Sequence, residues 1–357
     1  MSTSRPRLVA NTGVLAGTLA GLIWGLAFLI PVLLDAWSPV AVTIGRYLAY
    51  GGVSLILVLA GGQAMRRIIR RHWGTAVQFA LTGNVAYYLL LVLGIAWAGG
   101  PVTDIIIGCI PIVMVVIGNM ISRSYPWRSL VLPVMLVVIG LAVVNAVAIG
   151  STSTATAAWT AAGHSVGLFT AGVVSSFVAV ALWTWYGLAN AAFLQNHPEV
   201  GSAAWSAVVG VGTGVITFLG LPLAALAGQI GGSRDATGSG LSPLGELVIG
   251  SIVLGVLVSW AATMLWNSAS ARMSTTAAGM LINVETVSGY TYLYAAARQW
   301  PPIVELAGFA IILLGVVLVV RLPTAAVRPP PSAPADDGIA AVTRAVPGLS
   351  WRRPSRR

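Results

Sequence analysis

Ten runs of apolar residues, each about long enough to cross a bilayer, follow one another along this chain. A helix needs about 20 residues to span the hydrocarbon core. Lipid offers a backbone no hydrogen-bond partners, so such runs must satisfy their own peptide groups as helices. They fall at 13–34, 39–60, 74–97, 101–121, 128–148, 165–190, 202–227, 245–267, 275–295 and 302–321. Charged residues are only 8% of the 357, against about 25% in soluble domains. The expected class is all-α integral membrane, with ten transmembrane helices. The first run exceeds the roughly 7–15 residues of a signal-peptide core and is read as an uncleaved span. Gly13, Gly17, Gly21 and Gly25 recur along it at every fourth position, a spacing that suits a close-packed helix seam.

Charge sets the predicted orientation. All 19 basic residues are arginine, and sixteen fall on one side of the bundle. These are Arg5 and Arg7, four in a loop at 61–73 (Arg66, Arg67, Arg70, Arg71), Arg123, Arg128, Arg272, and seven from Arg321 onward. The other side holds Arg234 and Arg298, while Arg46 lies within the second span. The excess of arginine in cytoplasmic loops places both termini in the cytoplasm of a multi-pass plasma-membrane protein, which requires an even number of spans. The net charge of +10 therefore reads as topology and lipid contact, with no nucleic-acid partner. A single cysteine, Cys109, excludes an intrachain disulfide and a cysteine-based metal cluster. His72, His164 and His197 lie far apart with no ligand spacing, so neither a metal nor a cofactor is expected. No Gly-rich phosphate loop ending in Gly-Lys-Ser/Thr is present, so this chain is not expected to hydrolyse ATP.

The organisation expected is a cytoplasmic segment at 1–12, five spans over 13–148, a Ser/Thr/Ala-rich exterior linker at 149–164, five more over 165–321, and a disordered basic cytoplasmic tail at 322–357. Five is odd, so the second set enters the membrane inverted relative to the first. Transporters built from inverted repeats bind their solute near the midplane, where the repeats meet.

One carboxylate falls near the centre of a span. Glu285 lies in the ninth, where a charge costs at least about 2.5–3.5 kcal/mol and faces a protein interior or a wet cavity. At helical spacing it shares a face with Ser288, Gly289 and Tyr292. Asp104, Glu246 and Glu305 fall near span starts, where carboxylates complement the positive helix end. Arg46 reads as a lock between helices more than as a ligand group. Polar and aromatic side chains recur at helical spacing elsewhere: Asn84 with Tyr88, beside Tyr87; Trp183 with Tyr186 and Asn190; Trp260 with Asn267; and Trp24 with Phe28. Trp185, Trp205, Trp266 and Trp300 fit an interfacial belt. The candidate substrate-binding set is Glu285, Tyr88, Asn84, Trp183, Tyr186, Asn267, Trp24, Ser288 and Tyr292. An aromatic and amide lining suits a neutral or zwitterionic solute.

The order of these features resembles the EamA-type proteins of the drug/metabolite transporter superfamily. The resemblance runs from Gly13 to Val320 and rests on Trp24-Gly25, Ser38-Pro39, Arg46, Pro111, Gly308 and Gly315. The turns that close each half read Ser122-Arg123-Ser124 and Arg298-Gln299-Trp300, without the family's usual glutamate. The resemblance implies a cavity lined by the first, third, fourth, sixth, eighth and ninth spans. It also implies secondary transport without a fixed substrate. The expected function is export of a small amino acid-like or aromatic metabolite by alternating access, with Glu285 pairing to an amine or carrying a proton. A carrier or flippase for phosphorylated or lipid-linked substrates, and a non-transporting sensor or assembly subunit, remain open alternatives. A membrane enzyme would need clustered histidines or paired carboxylates at depth, and Glu285 stands alone there.

Overall fold

The computed structural model describes residues 4–145, 165–231 and 242–323. The linker expected at 149–164 and the tail beyond 323 lie outside them. The first apolar stretch is α1 (Ser4–Trp24) and α2 (Leu26–Leu33), and the second is α3 (Pro39–Ala60). The third runs through α4 (Gly62–Ala80), a π-helical segment (Leu81–Val85) and α5 (Ala86–Ala98). The fourth is α6 (Gly100–Ile107) and α7 (Ile110–Ser122); the fifth is α8 (Trp127–Val144). Then come α9 (Val166–Asn196) and α10 (Ser202–Leu226). The eighth stretch runs through α11 (Pro243–Ile252), a second π-helical segment (Val253–Ala261) and α12 (Ala262–Arg272). The ninth is α13 (Thr275–Leu281) and α14 (Asn283–Ala296), and the last is α15 (Ile303–Arg321). Among the described residues there is no strand, and nine helices are long and apolar enough to span a membrane. The stretch at 275–296, divided at Ile282, is not among them: Asn283, Glu285 and its Ser, Thr and Tyr residues make it less apolar than the others.

Serine starts four of these helices for one physical reason. The first turn of a helix has N–H groups without intrahelical partners, and a serine oxygen accepts one of them. Ser38, Ser165, Ser242 and Ser274 take the N–H of Ala41, Leu168, Gly245 and Ala277 at 3.1–3.2 Å. Pro39 and Pro243 follow two of these serines, where their missing N–H costs nothing.

Two boundaries differ from the sequence expectation. The first helix reaches back to Ser4, beyond the expected start at residue 13. The arginine-rich 61–73 is helix and not loop. The chain turns at Gly62, which takes a left-handed φ of +57°, a conformation glycine adopts without strain. Met65, His72, Ala76 and Phe79 then fall on one helical face and are buried, while the four arginines keep to the rest of the circumference. An amphipathic helix of this kind has the charge density of a loop, which is why composition alone misplaced it.

Helices pack in pairs: α3 on α10, α8 on α15, α5 on α9, α1 on α12 and α7 on α13. Glycine permits the closest of these contacts. A Cβ on Gly51 would lie 2.5 Å from the Cα of Gly214, and one on Gly140 would lie 2.9 Å from the carbonyl of Gly308. The glycines of the first span form the seam expected of them, with Gly13 against Met273, Gly17 against Leu281, Gly21 against Val284 and Gly25 against Ser288. Around the outside, Phe218, Leu219, Leu223 and Leu226 stand exposed. That surface would be a liability in water and is ordinary in lipid.

Gly51→Val is expected to destabilise the fold by at least about 1–3 kcal/mol, because the opposing atoms are backbone and have no rotamer to yield. Gly52→Ala meets nothing within 4 Å and should leave the melting temperature of the purified protein no lower. Equal melting temperatures for the two variants would contradict the crossing described.

Candidate functional site

The position of Glu285 follows from a break in its helix. Asn283 turns its side-chain Nδ2 back to the carbonyl of Met280 at 3.0 Å. A side chain that competes in this way for a backbone acceptor interrupts the helical ladder. Ile282 N–H reaches Gly279 and Glu285 N–H reaches Ile282, both three residues back instead of four. Glu285 is thereby set in the first turn of α14. It lies deep within the bundle, yet its side chain is only half-buried.

The other charge in that interior is Arg46. It projects from α3 and donates through Nε to Ser259 Oγ at 2.8 Å, with its guanidinium 5.5 Å from the Tyr47 ring. Its charge is felt at Glu285, but the two form no ion pair among the described residues. The guanidinium Nη groups have no hydrogen-bond partner among those residues. Tyr87 lies in the field of Glu285 and packs on Trp183, centroids 6.4 Å apart. The expectation that Arg46 only locks helices from outside the centre is therefore incomplete. Its Nε does lock α3 to the eighth stretch, and its charge reaches Glu285.

Both π-helical segments contribute to this region. In a π turn one residue is effectively inserted and the ladder shifts, a feature frequent at functional sites. Ser259, which holds Arg46, belongs to the second segment, and the carbonyl of its neighbour Val258 accepts Trp24 Nε1 at 3.1 Å. Asn84 belongs to the first segment. Its Nδ2 donates to Thr213 Oγ1 at 3.1 Å, and its carbonyl accepts Tyr47 Oη at 3.3 Å. Tyr88 stands edge-on to Tyr47 with centroids 6.2 Å apart.

The remaining sequence candidates separate into two groups. Trp24, Trp183 and Tyr186 join an aromatic chain, with Trp266 5.4 Å from Trp24 and 6.4 Å from Trp183, and Tyr186 6.1 Å from Trp183. Ser288, Tyr292 and Asn267 are engaged in holding helices. Ser288 Oγ donates to Gly21 O and Tyr292 Oη to Leu22 O, each at 3.1 Å, fixing α14 to α1. Asn267 Oδ1 accepts Asn190 Nδ2 at 2.8 Å, and Asn190 Oδ1 accepts Trp205 Nε1 at 2.9 Å. All three residues of that chain are at most 1% exposed. The belt reading fails for Trp205 and Trp266, which are 0% and 1% exposed. Trp205 is inside because Asn190 takes its N–H, and because Phe193 stacks on it at 4.1 Å. Trp300, by contrast, is 90% exposed. Sequence reasoning missed Ser259, Thr213 and Tyr47. None departs from ordinary span composition, and each matters only through a partner on another helix.

Two hollows of about 330 and 370 Å³ open at helix-end turns around Arg123 and Arg298, away from Glu285 and Arg46. They are lined largely by the turns themselves and hold no second buried charge.

Comparison with known proteins bears on this arrangement. The model of the EamA-like transporter family matches residues 11–146. The inner membrane protein YtfF of Escherichia coli (strain K12) is 31% identical over 319 residues, which is 87% of this chain and 95% of that protein. A solved crystal structure matches with a TM-score of 0.65 at 16% identity, covering 87% of this chain and 96% of its own. At that identity the likeness is one of fold.

Asn267→Ala leaves the Asn190 amide without its acceptor inside the packing and should cost about 1–3 kcal/mol of stability. Thermal unfolding of the purified protein checks this. A variant that melts like the parent but no longer binds solute would place Asn267 at a cavity instead.

Proposed function

The chain belongs to the EamA-like transporter family, and from that premise we propose that it exports a small zwitterionic metabolite, amino acid-like or aromatic, by alternating access. The observation that carries this reading is the pair of opposite charges held apart in one interior. Arg46 keeps its Nη groups free while Ser259 fixes its Nε, and a planar fork of that kind suits a carboxylate. Glu285, deep in the bundle without an ion-pair partner among the described residues, suits an ammonium group. Tyr47, Tyr87, Tyr88, Trp24 and Trp183 supply faces on which an aromatic or apolar side chain stacks. A solute bearing both charges satisfies both groups; a phosphorylated solute would ask for several interior cations, and Arg46 is one. When the amine leaves, a proton replaces it on Glu285, which couples release to proton uptake.

The proposal includes ten crossings arranged as two inverted sets of five. Local features that recur in step support it. The third stretch of each set contains a π-helical segment, at Leu81–Val85 and Val253–Ala261. The fourth of each set is divided, at Gly108–Cys109 and at Ile282. Each fourth stretch ends in an arginine of left-handed φ, Arg123 at +49° and Arg298 at +55°. In both turns the sequence continues through one residue, an aromatic residue and a proline. The packing partners follow the same exchange, with α5 on α9 mirrored by α12 on α1. The arginine distribution then places both termini in the cytoplasm, in a plasma membrane like that of the inner-membrane relative.

Binding to an aromatic amino acid, its decarboxylated amine and its deaminated acid, followed by thermal shift and by flux in vesicles, tests the reading. The parent should bind the zwitterion most tightly. Glu285→Gln should lose preference for the amine and Arg46→Gln preference for the carboxylate, each by about 2–5 kcal/mol, or roughly 30-fold and more. Parental flux by Glu285→Gln at every pH would defeat the assignment.

A further inference from the structure

Far from that interior, α4 meets the turn that joins α9 to α10. His72 projects from the buried face of α4 and is 9% exposed. Phe193 stands edge-on to its ring at 5.1 Å and Trp205 at 6.4 Å. On its remaining side is His197, with ring centroids 4.9 Å apart. The two histidines are 125 positions apart in the chain, so no spacing rule connects them.

The turn that carries His197 is rigid. It reads His197-Pro198-Glu199-Val200, and Val200 N–H closes it onto His197 O at 2.9 Å. Proline at the second position fixes that residue's φ, and Val200, 4% exposed, anchors the far end. Glu199 is therefore held beside His197 by a closed turn. Ligand atoms of His72, His197 and Glu199 all lie within 4.8 Å of one another.

The state of one imidazole is fixed by its neighbour. His197 Nδ1 lies 3.0 Å from the carbonyl oxygen of Phe193. A carbonyl only accepts, so Nδ1 carries the proton and Nε2 keeps its lone pair. Metal-binding histidines make this same outer contact, which sets the tautomer and aims the ring. Two imidazoles and one carboxylate suit zinc and its neighbours in the first transition row, whereas calcium and magnesium prefer oxygen throughout.

We propose that His72, His197 and Glu199 form a three-ligand site for a zinc-class divalent cation, with solvent in the open position, joining α4 to the α9–α10 turn. Bond lengths of about 2.0–2.1 Å bring the donor atoms closer than they stand now. Rotation of the exposed Glu199 side chain, with a small tilt of the His197 ring that keeps its Nδ1 contact to Phe193, provides that movement. Arg71 lies close enough for its charge to be felt at His72, so the Glu199 carboxylate also offsets a local positive field.

The test uses the full chain purified without a polyhistidine tag and stripped with chelator. Cobalt(II) serves as the spectroscopic probe and zinc(II) as the stabilising one. Cobalt should give visible ligand-field absorption saturating at one ion per chain, and zinc should raise the melting temperature. Glu199→Gln and His197→Ala change exposed or half-exposed side chains; each should melt like the metal-free parent and bind more than about 100-fold more weakly. Cys109→Ser should bind as the parent does. Absence of cobalt absorption and of a zinc shift in the parent would overturn the site, as would binding that survives His197→Ala or disappears with Cys109→Ser.

Discussion

Inside a bilayer, a peptide group that leaves its helical partner must find another within the protein, because lipid supplies none. Much of what distinguishes this bundle from a set of plain rods answers that demand. The division at Gly108–Cys109 precedes Pro111, whose missing N–H removes one rung of the ladder. At Ile282 the Asn283 amide takes the Met280 carbonyl. Ser288 and Tyr292 reach the carbonyls of Gly21 and Leu22 on the neighbouring helix. Irregular backbone is tolerated at such depth where it faces protein or an internal space. That is also where Glu285 and Arg46 are found.

The two charges illustrate the same economy from the electrostatic side. Either one alone in hydrocarbon is costly, and a tight pair between them would leave neither free. Here Ser259 satisfies one nitrogen of the guanidinium and the two groups share a field without direct contact. Each is eased by the other's charge. The aromatic chain from Trp24 through Trp266 to Trp183 walls one side, and the π-helical segments set where Asn84 and Ser259 point.

What hydropathy controls was legible in the sequence. The all-helical membrane character, the glycine seam of the first span and the depth of Glu285 all follow from composition and period, and nine of the ten expected stretches are helices long and apolar enough to span among the described residues. What depends on a partner elsewhere in the chain was hidden. Arg46 reads as a lock between helices, but its partner Ser259 emerges only when α3 and the eighth stretch are placed together. Trp205 and Trp266 read as interfacial until the packing of α9, α10 and α12 encloses them. Asn267 reads as a cavity amide until Asn190 takes it. The helix at 62–80 was obscured because its four arginines outweighed the buried face formed by Met65, His72, Ala76 and Phe79. His72 and His197 carry no shared motif, and only the meeting of α4 with a proline turn makes them neighbours.

The glycine crossings have one more consequence. At Gly51 with Gly214 main chain rests on main chain, whereas at Gly140 with Gly308 the side chains of Ile312 and Val144 close in beside the backbone. Interlocked side chains resist tilting because rotamers must be re-sorted at every step. Only the Gly51–Gly214 crossing lacks such teeth. α3 and α10 thus meet at a contact whose resistance to tilting comes from backbone alone, while α8 and α15 are geared by Ile312 and Val144.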